Sequence, residues 1–182
     1  DIDWDKIHFW WGDERCVPPT DDDSNYKMTK ERLFDAVSVK NQQIHRVIGE
    51  SDPSQEAKRY GKEIDEHIPK VNGVAQFDIV LLGMGGDGHT ASIFPHEMPL
   101  LKDKNNCAVA THPESGQKRV TLTGPVINNA LAICFLVTGE GKTEKVDEIF
   151  NQKEGCLSYP AAHFNGENVV WYLDDSAARM LS

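Results

Sequence analysis

The stretch FDIVLLGMGGDGHTASIFP, Phe77 to Pro95, decides the fold. Its first half, FDIVLLG, is a continuous apolar run, the pattern of a strand buried on both faces of a parallel sheet. Its second half is a glycine loop in which Gly83-Met84-Gly85-Gly86-Asp87-Gly88 fits G-x-G-x-x-G. A strand that opens onto such a loop predicts an α/β unit with its ligand crevice at the carboxyl ends of the strands.

The same alternation runs outward in both directions. KIHFWWG reads as a strand ending at Gly12, and Pro18 and Pro19 keep the loop after it irregular. Ser24 caps a helix through NYKMTKERLFD. A second helix starts at Asp52 or Ser51 with Pro53 in its first turn, carries Ala57, Tyr60, Ile64 and Ile68 on one face, and ends at Pro69. Beyond the glycine loop, CAVATH and RVTLT read as strands, GPVINNA as a helical turn and LAICFLVTG as another buried strand. KTEKVDEIFNQ reads as a helix, VVWYLD as the last strand and DSAARML as the last helix. The expected class is α/β: a Rossmann-like open, mostly parallel sheet flanked by helices. Residues 1–182 show no repeat or linker and are expected to form one domain. The chain starts almost at a strand whose loop, GDERC, already resembles part of a site, so an N-terminal βα unit is expected to be missing from it.

Composition narrows the partners. Lys and Arg number 19 and Asp and Glu 29, a formal charge of −10. That disfavours nucleic acid and anionic membranes but leaves room for a small anion in a locally basic pocket. Cys16, Cys107, Cys134 and Cys156 are scattered without a C-x-x-C pair, which suits a reducing cytosol, and Cys134 reads as a small core residue. No apolar run approaches the ~18 residues of a membrane span. The first residues lack the basic and leucine-rich regions of a signal peptide.

The glycine loop has three readings. As a dinucleotide cradle, it would pair with Asp103, about 20 residues on. Against this, Asp87 would repel a pyrophosphate, and Pro95 halts any helix after about two turns. As a plain turn, four glycines in six residues cost much backbone entropy. As a catalytic loop, it offers backbone N–H groups, a short following helix whose N-terminus favours negative charge, and His89, which can act as base and then acid. Asp87, two residues away, can orient the imidazole or meet sugar hydroxyls. The third reading fits an enzyme acting on a phosphorylated sugar.

GMGGDGHTASIFP is similar to the signature of the 6-phosphogluconolactonase family, related to the glucosamine-6-phosphate deaminases/isomerases. WWGDERCVPPTDDDSNY resembles that family's first site loop, and RVTLTGPVINNA and TGEGK resemble its phosphate-binding segments. YPAAHF and WYLDDSAA resemble its C-terminal end. The resemblance implies hydrolysis of 6-phospho-D-glucono-1,5-lactone in the oxidative pentose phosphate pathway, in the cytoplasm. It implies no cofactor and no metal, and His89 and His96, seven apart, make no ligand set. His89 would be the general base and acid, assisted by Asp87 and Asp13. Arg15, Gly85 and Gly86 would meet the substrate, through side chain or backbone N–H, and Arg119 and Lys142 would hold the phosphate. The partner is the small-molecule lactone, for a monomer or weak homo-oligomer. The deaminase branch carries a glutamate five residues after the active-site histidine. Here Phe94 stands there, which favours the lactonase over a deaminase/isomerase or a noncatalytic sugar-phosphate sensor.

Asp13 and Arg15 can also pair with each other, and Asp21-Asp22-Asp23 reads as a solvated run rather than a calcium loop. His8, His45, His67, His112 and His163 read as structural. Of Trp10 and Trp11, one is expected to pack inward and the other to flank the site.

Overall fold

The computed structural model describes residues 2–181. In chain order it contains strands β1 (Phe9–Trp10) and β2 (Asp13–Arg15), helix α1 (Asn25–Thr29), strand β3 (Ile44–His45) and helix α2 (Pro53–His67). Strands β4 (Lys70–Val71), β5 (Val74–Ala75), β6 (Ile79–Leu82), β7 (Cys107–Thr111) and β8 (Lys118–Leu122) follow. Helix α3 (Gly124–Asn128), strand β9 (Ala132–Val137), helix α4 (Thr143–Phe150) and strand β10 (Val169–Leu173) complete it. Strands β10, β9 and β6 form a parallel sheet in that order, and β1 pairs parallel with β3. The fold is α/β, as the alternation predicts.

Local chemistry sets the helix ends. The Asp52 side chain accepts the N–H groups of Ser54 and Gln55, and Pro53 needs no N–H bond at the first helical position. Tyr60 and Ile64 then bury fully, each worth about 1.5–3 kcal/mol. The Tyr60 hydroxyl accepts the Trp11 N–H at 2.7 Å, which locks α2 beneath the strand that leads into the site. Ser24 accepts the Lys27 N–H at the start of α1, which passes into a wider turn at Lys30–Phe34.

Four expectations need correction. CAVATH and RVTLT do not join the parallel sheet. They are β7 and β8, and with β2 they make a separate antiparallel sheet in the order β2-β8-β7. FDIVLLG and LAICFLVTG are not buried on both faces. Val80, Leu82, Ile133, Phe135 and Val137 are buried, but Ile79 and Leu81 on the opposite face are 61% and 64% exposed. Leu136, Val170 and Tyr172 continue that exposed face, and Cys134, read as core, lies half-buried on it between Leu81 and Val170. Among the described residues nothing packs over it. DSAARML forms turns at 175–180 rather than a helix. The segment is too short to hold a helix without packing support, and Asp174 accepts N–H groups from both Gly139 and Ala177. One hairpin went unread: Asn72 and Gly73, both at positive φ, turn β4 back onto β5. Among the described residues no helix is long and apolar enough to cross a membrane.

Glu14 organises the segment that carries Asp13 and Arg15. It is 2% exposed, and one carboxylate oxygen accepts the N–H groups of Arg15 and Asn25, each at 2.8 Å. The other accepts the Ser24 hydroxyl at 3.1 Å and the Tyr26 N–H at 2.8 Å. Glu14→Ala strands these donors and is expected to cost about 3 kcal/mol. A thermal melt should show Tm falling by roughly 10 °C; an unchanged Tm would show that the caps carry no weight.

Candidate active site

Strand β6 delivers the chain to Gly83, and the loop that follows folds back on itself. The Gly85 N–H donates to the His89 carbonyl at 2.8 Å, the Gly88 N–H to the Gly85 carbonyl at 3.0 Å, and the Thr90 hydroxyl to the Gly83 carbonyl at 2.8 Å. No helix starts at Gly88, contrary to expectation, and Pro95, expected to halt a helix, instead opens a 3-10 segment over Pro95–Lys102. Residues Thr90 to Ile93 make a tight turn closed by an Ile93 N–H bond to the Thr90 carbonyl, with Ala91 at φ 48. Any help to an anion here therefore comes from side chains and individual N–H groups, not from a helix terminus.

Two glycines are required by space. An added Cβ at Gly88, which sits at φ +82, would lie 2.6 Å from Cβ of Tyr159. One at Gly85 would lie 2.1 Å from His89 Nδ1. The imidazole occupies the room that the missing Gly85 side chain leaves.

His89 Nδ1 lies 2.6 Å from Asp87 Oδ1, and the His89 backbone N–H donates to the same oxygen at 3.1 Å. An ionised carboxylate only accepts, so neutral His89 carries its proton on Nδ1 and keeps the Nε2 lone pair free. Burial opposes ionisation of Asp87, but the hydrogen bonds from the His89 ring and backbone outweigh it and hold the carboxyl down at about 2. The folded-state value lies below the ordinary 3.8. The pair therefore stabilises the fold above 3.8, and that stabilisation is lost as pH falls toward about 2. The gap in Tm between wild type and Asp87→Asn should close over that window; a gap constant with pH would show that the carboxylate charge is not involved. Phe94, fully buried, supports the imidazole with ring centroids 4.7 Å apart, and Arg119 lies over the same ring at 5.6 Å.

On the antiparallel sheet, the β2–β8 register places Arg15 directly across from Arg119. Both side chains therefore rise from one face of the antiparallel sheet. Arg15 donates to the Asp23 carbonyl at 2.5 Å, and Arg119 stands 3.8 Å from Asp13 Oδ2. The Nε atoms of both arginines are buried without a partner. Burial, and then the charge of Arg15, lower the pKa of Arg119 against the pull of Asp13. Two guanidiniums side by side with orphaned N–H groups are an arrangement that an anion stabilises.

One cavity of about 720 Å³ joins these parts. Its wall includes Asp13, Arg15, Gly85, His89, Arg119 and Lys142. Asp87 reaches it only through His89, and Gly86 stands outside the wall. Gly85 is corrected in role, because its N–H is spent on the His89 carbonyl and cannot meet substrate. Trp10 and Trp11 both line the cavity, Trp11 the more buried, so the site takes both rather than one. Asp103, the ribose ligand of the dinucleotide reading, instead accepts the Asn105 N–H in its own turn.

The sequence profile described as "Glucosamine-6-phosphate isomerases/6-phosphogluconolactonase" matches residues 1–171. The chain belongs to this family. A Haemophilus influenzae protein named 6-phosphogluconolactonase is 47% identical over 182 residues, 99% of this chain and 76% of that protein. A crystal structure described as that of devB protein superposes with a TM-score of 0.94 at 46% identity, covering 100% of this chain and 77% of the other. The structure described as "Three dimensional structure and catalytic mechanism of 6-phosphogluconolactonase from Trypanosoma brucei" gives 0.81 at 33% identity, covering 96% of this chain and 74% of that one. The glycine loop and the DER strand lie inside the matched span. Sequence reasoning missed Ser92, Asn25 and the supporting role of Phe94. Ser92 carries no local signal, because its partner Asp13 lies far away in the chain.

Proposed function

We propose that this chain hydrolyses 6-phospho-D-glucono-1,5-lactone to 6-phosphogluconate, the activity named for its relatives. The observation that carries the reading is one cavity lined by both kinds of group: a His89 imidazole with Nε2 free, and the paired Arg15 and Arg119 with Lys142. Arg119 and Lys142 bind the phosphate. Arg15 reinforces the positive field, and Asp13 is within the cavity to accept a sugar hydroxyl.

His89 Nε2 takes a proton from a water as its oxygen bonds to the lactone carbonyl carbon. The carbonyl becomes a tetrahedral oxyanion. When it collapses, the bond from that carbon to the ring oxygen breaks, and His89 returns the proton to the ring oxygen. The new carboxylic acid ionises and releases one proton to solvent. Asp87 stays ionised throughout, holding the ring and stabilising its charged form. This acid–base help is worth roughly 10²–10⁴ in rate. A donor on the oxyanion supplies a further ~3 kcal/mol, and Arg15 is the candidate for it, since the Gly85 N–H is already spent on the His89 carbonyl.

Residues 1–182 act as one catalytic domain in this reading, as a monomer or weak homo-oligomer. Four free cysteines fit a reducing cytoplasm. The test is proton release on adding freshly made lactone, corrected for spontaneous hydrolysis. Acceleration beyond the spontaneous rate supports the assignment. No acceleration, with the protein folded by its melt, overturns it for this chain.

A further inference from the structure

The turn after His89 is bonded to the antiparallel sheet at two points. Ser92 is 0% exposed. Its N–H donates to the Thr121 hydroxyl at 3.2 Å, on β8, and its own hydroxyl donates to Asp13 Oδ2 at 2.6 Å, on β2. Asp13 is steadied on its other oxygen by the Asn25 amide at 3.4 Å, and that amide also donates to the Asp13 carbonyl at 2.9 Å. The oxygen that Ser92 holds is the one facing Arg119, and it stops 3.8 Å short of the guanidinium.

We propose that Ser92 is a positioning residue for the phosphate site: its hydroxyl holds the Asp13 carboxylate off Arg119 and so keeps that arginine free for the anion. The inference rests on the function proposed above. Its physics is a competition. An unrestrained carboxylate beside an arginine closes to a direct, charge-assisted pair at about 2.7–2.9 Å. A guanidinium so occupied has less to offer a phosphate. A carboxylate already satisfied by Ser92 and Asn25 gains less from closing that last ångström. The bond also ties the loop of His89 to the strand beside Arg119, which fixes the two ends of the substrate relative to each other.

The experiment uses inorganic phosphate as a competitive inhibitor of lactone hydrolysis, with Ser92→Ala, Asp13→Asn and the double variant. Ser92→Ala should weaken phosphate inhibition and raise KM, each by about tenfold, with kcat within about threefold. In the double variant the carboxylate is gone, so phosphate inhibition should return to within about threefold of wild type. A structural role alone would lower Tm and kcat together and would not be rescued. Wild-type inhibition in Ser92→Ala, or a loss that Asp13→Asn fails to reverse, overturns the proposal. If Ser92→Ala does not fold, Asp13→Asn alone decides: inhibition at least as strong as in wild type supports the proposal, and weaker inhibition overturns it. A wild-type protein that neither turns over lactone nor binds phosphate would instead count against the proposed function.

Discussion

His89→Ala should lower kcat for lactone hydrolysis by roughly 10²–10⁴ while KM stays within about threefold. The split follows from the geometry. His89 lines the same cavity as Arg15 and Arg119, with Asp87 on Nδ1 and Nε2 left without a partner for the chemistry. Removing the ring takes away a transition-state interaction and leaves ground-state binding in place. The fold should survive, since the side chain is partly exposed and its loop is closed by the backbone N–H bonds of Gly85 and Gly88 and by the Thr90 hydroxyl. Steady-state kinetics beside a melt check both statements. A variant that keeps its kcat would remove His89 from the mechanism and leave the basic wall to be explained by binding alone.

Gly85→Ala should be almost as damaging, although it removes no functional group. The new methyl would sit 2.1 Å from Nδ1 and 2.3 Å from Cε1 of His89, and 2.6 Å from Oδ1 of Asp87. Contacts so short cannot persist. The atoms that must yield are side-chain atoms, so the imidazole swings away and the backbone stays. The expected result is a loss of about 10²-fold or more in kcat with Tm lowered by no more than about 4 °C. A large fall in Tm would mean that the backbone yielded instead. Full activity would mean that the ring has room elsewhere that still serves the reaction. The pairing of lost rate with kept stability distinguishes a cleared catalytic site from a broken loop.

The catalytic half of the site was legible because its chemistry is local. Asp87 and His89 stand two residues apart, and the glycines that admit them are in the same octet of sequence. The caps at Ser24 and Asp52 were legible for the same reason. The basic half was legible as residue types, but not as an arrangement. That Arg15 and Arg119 lie opposite each other depends on the antiparallel pairing of β2 with β8, and strand direction is set by partners rather than by composition. The misread burial of FDIVLLG has a related cause. An apolar run reports what a strand can cover itself with, not whether the described residues supply the cover. Ser92 escaped notice because a small polar residue in a loop has no pattern until its distant acceptor is found.

The open face of the parallel sheet has a colloidal consequence. Within residues 1–182, Ile79, Leu81, Leu136, Val170 and Tyr172 form an apolar stripe that no other described residue covers, and the same residues 1–182 carry a formal charge of −10. In dilute, low-salt buffer that charge keeps molecules apart. Added salt screens the repulsion within about 10 Å at 0.1 M, and the multivalent anions that strengthen apolar association then act on the stripe unopposed. Phosphate is such an anion. Residues 1–182 on their own are therefore expected to associate as phosphate concentration rises, which light scattering against ionic strength would show.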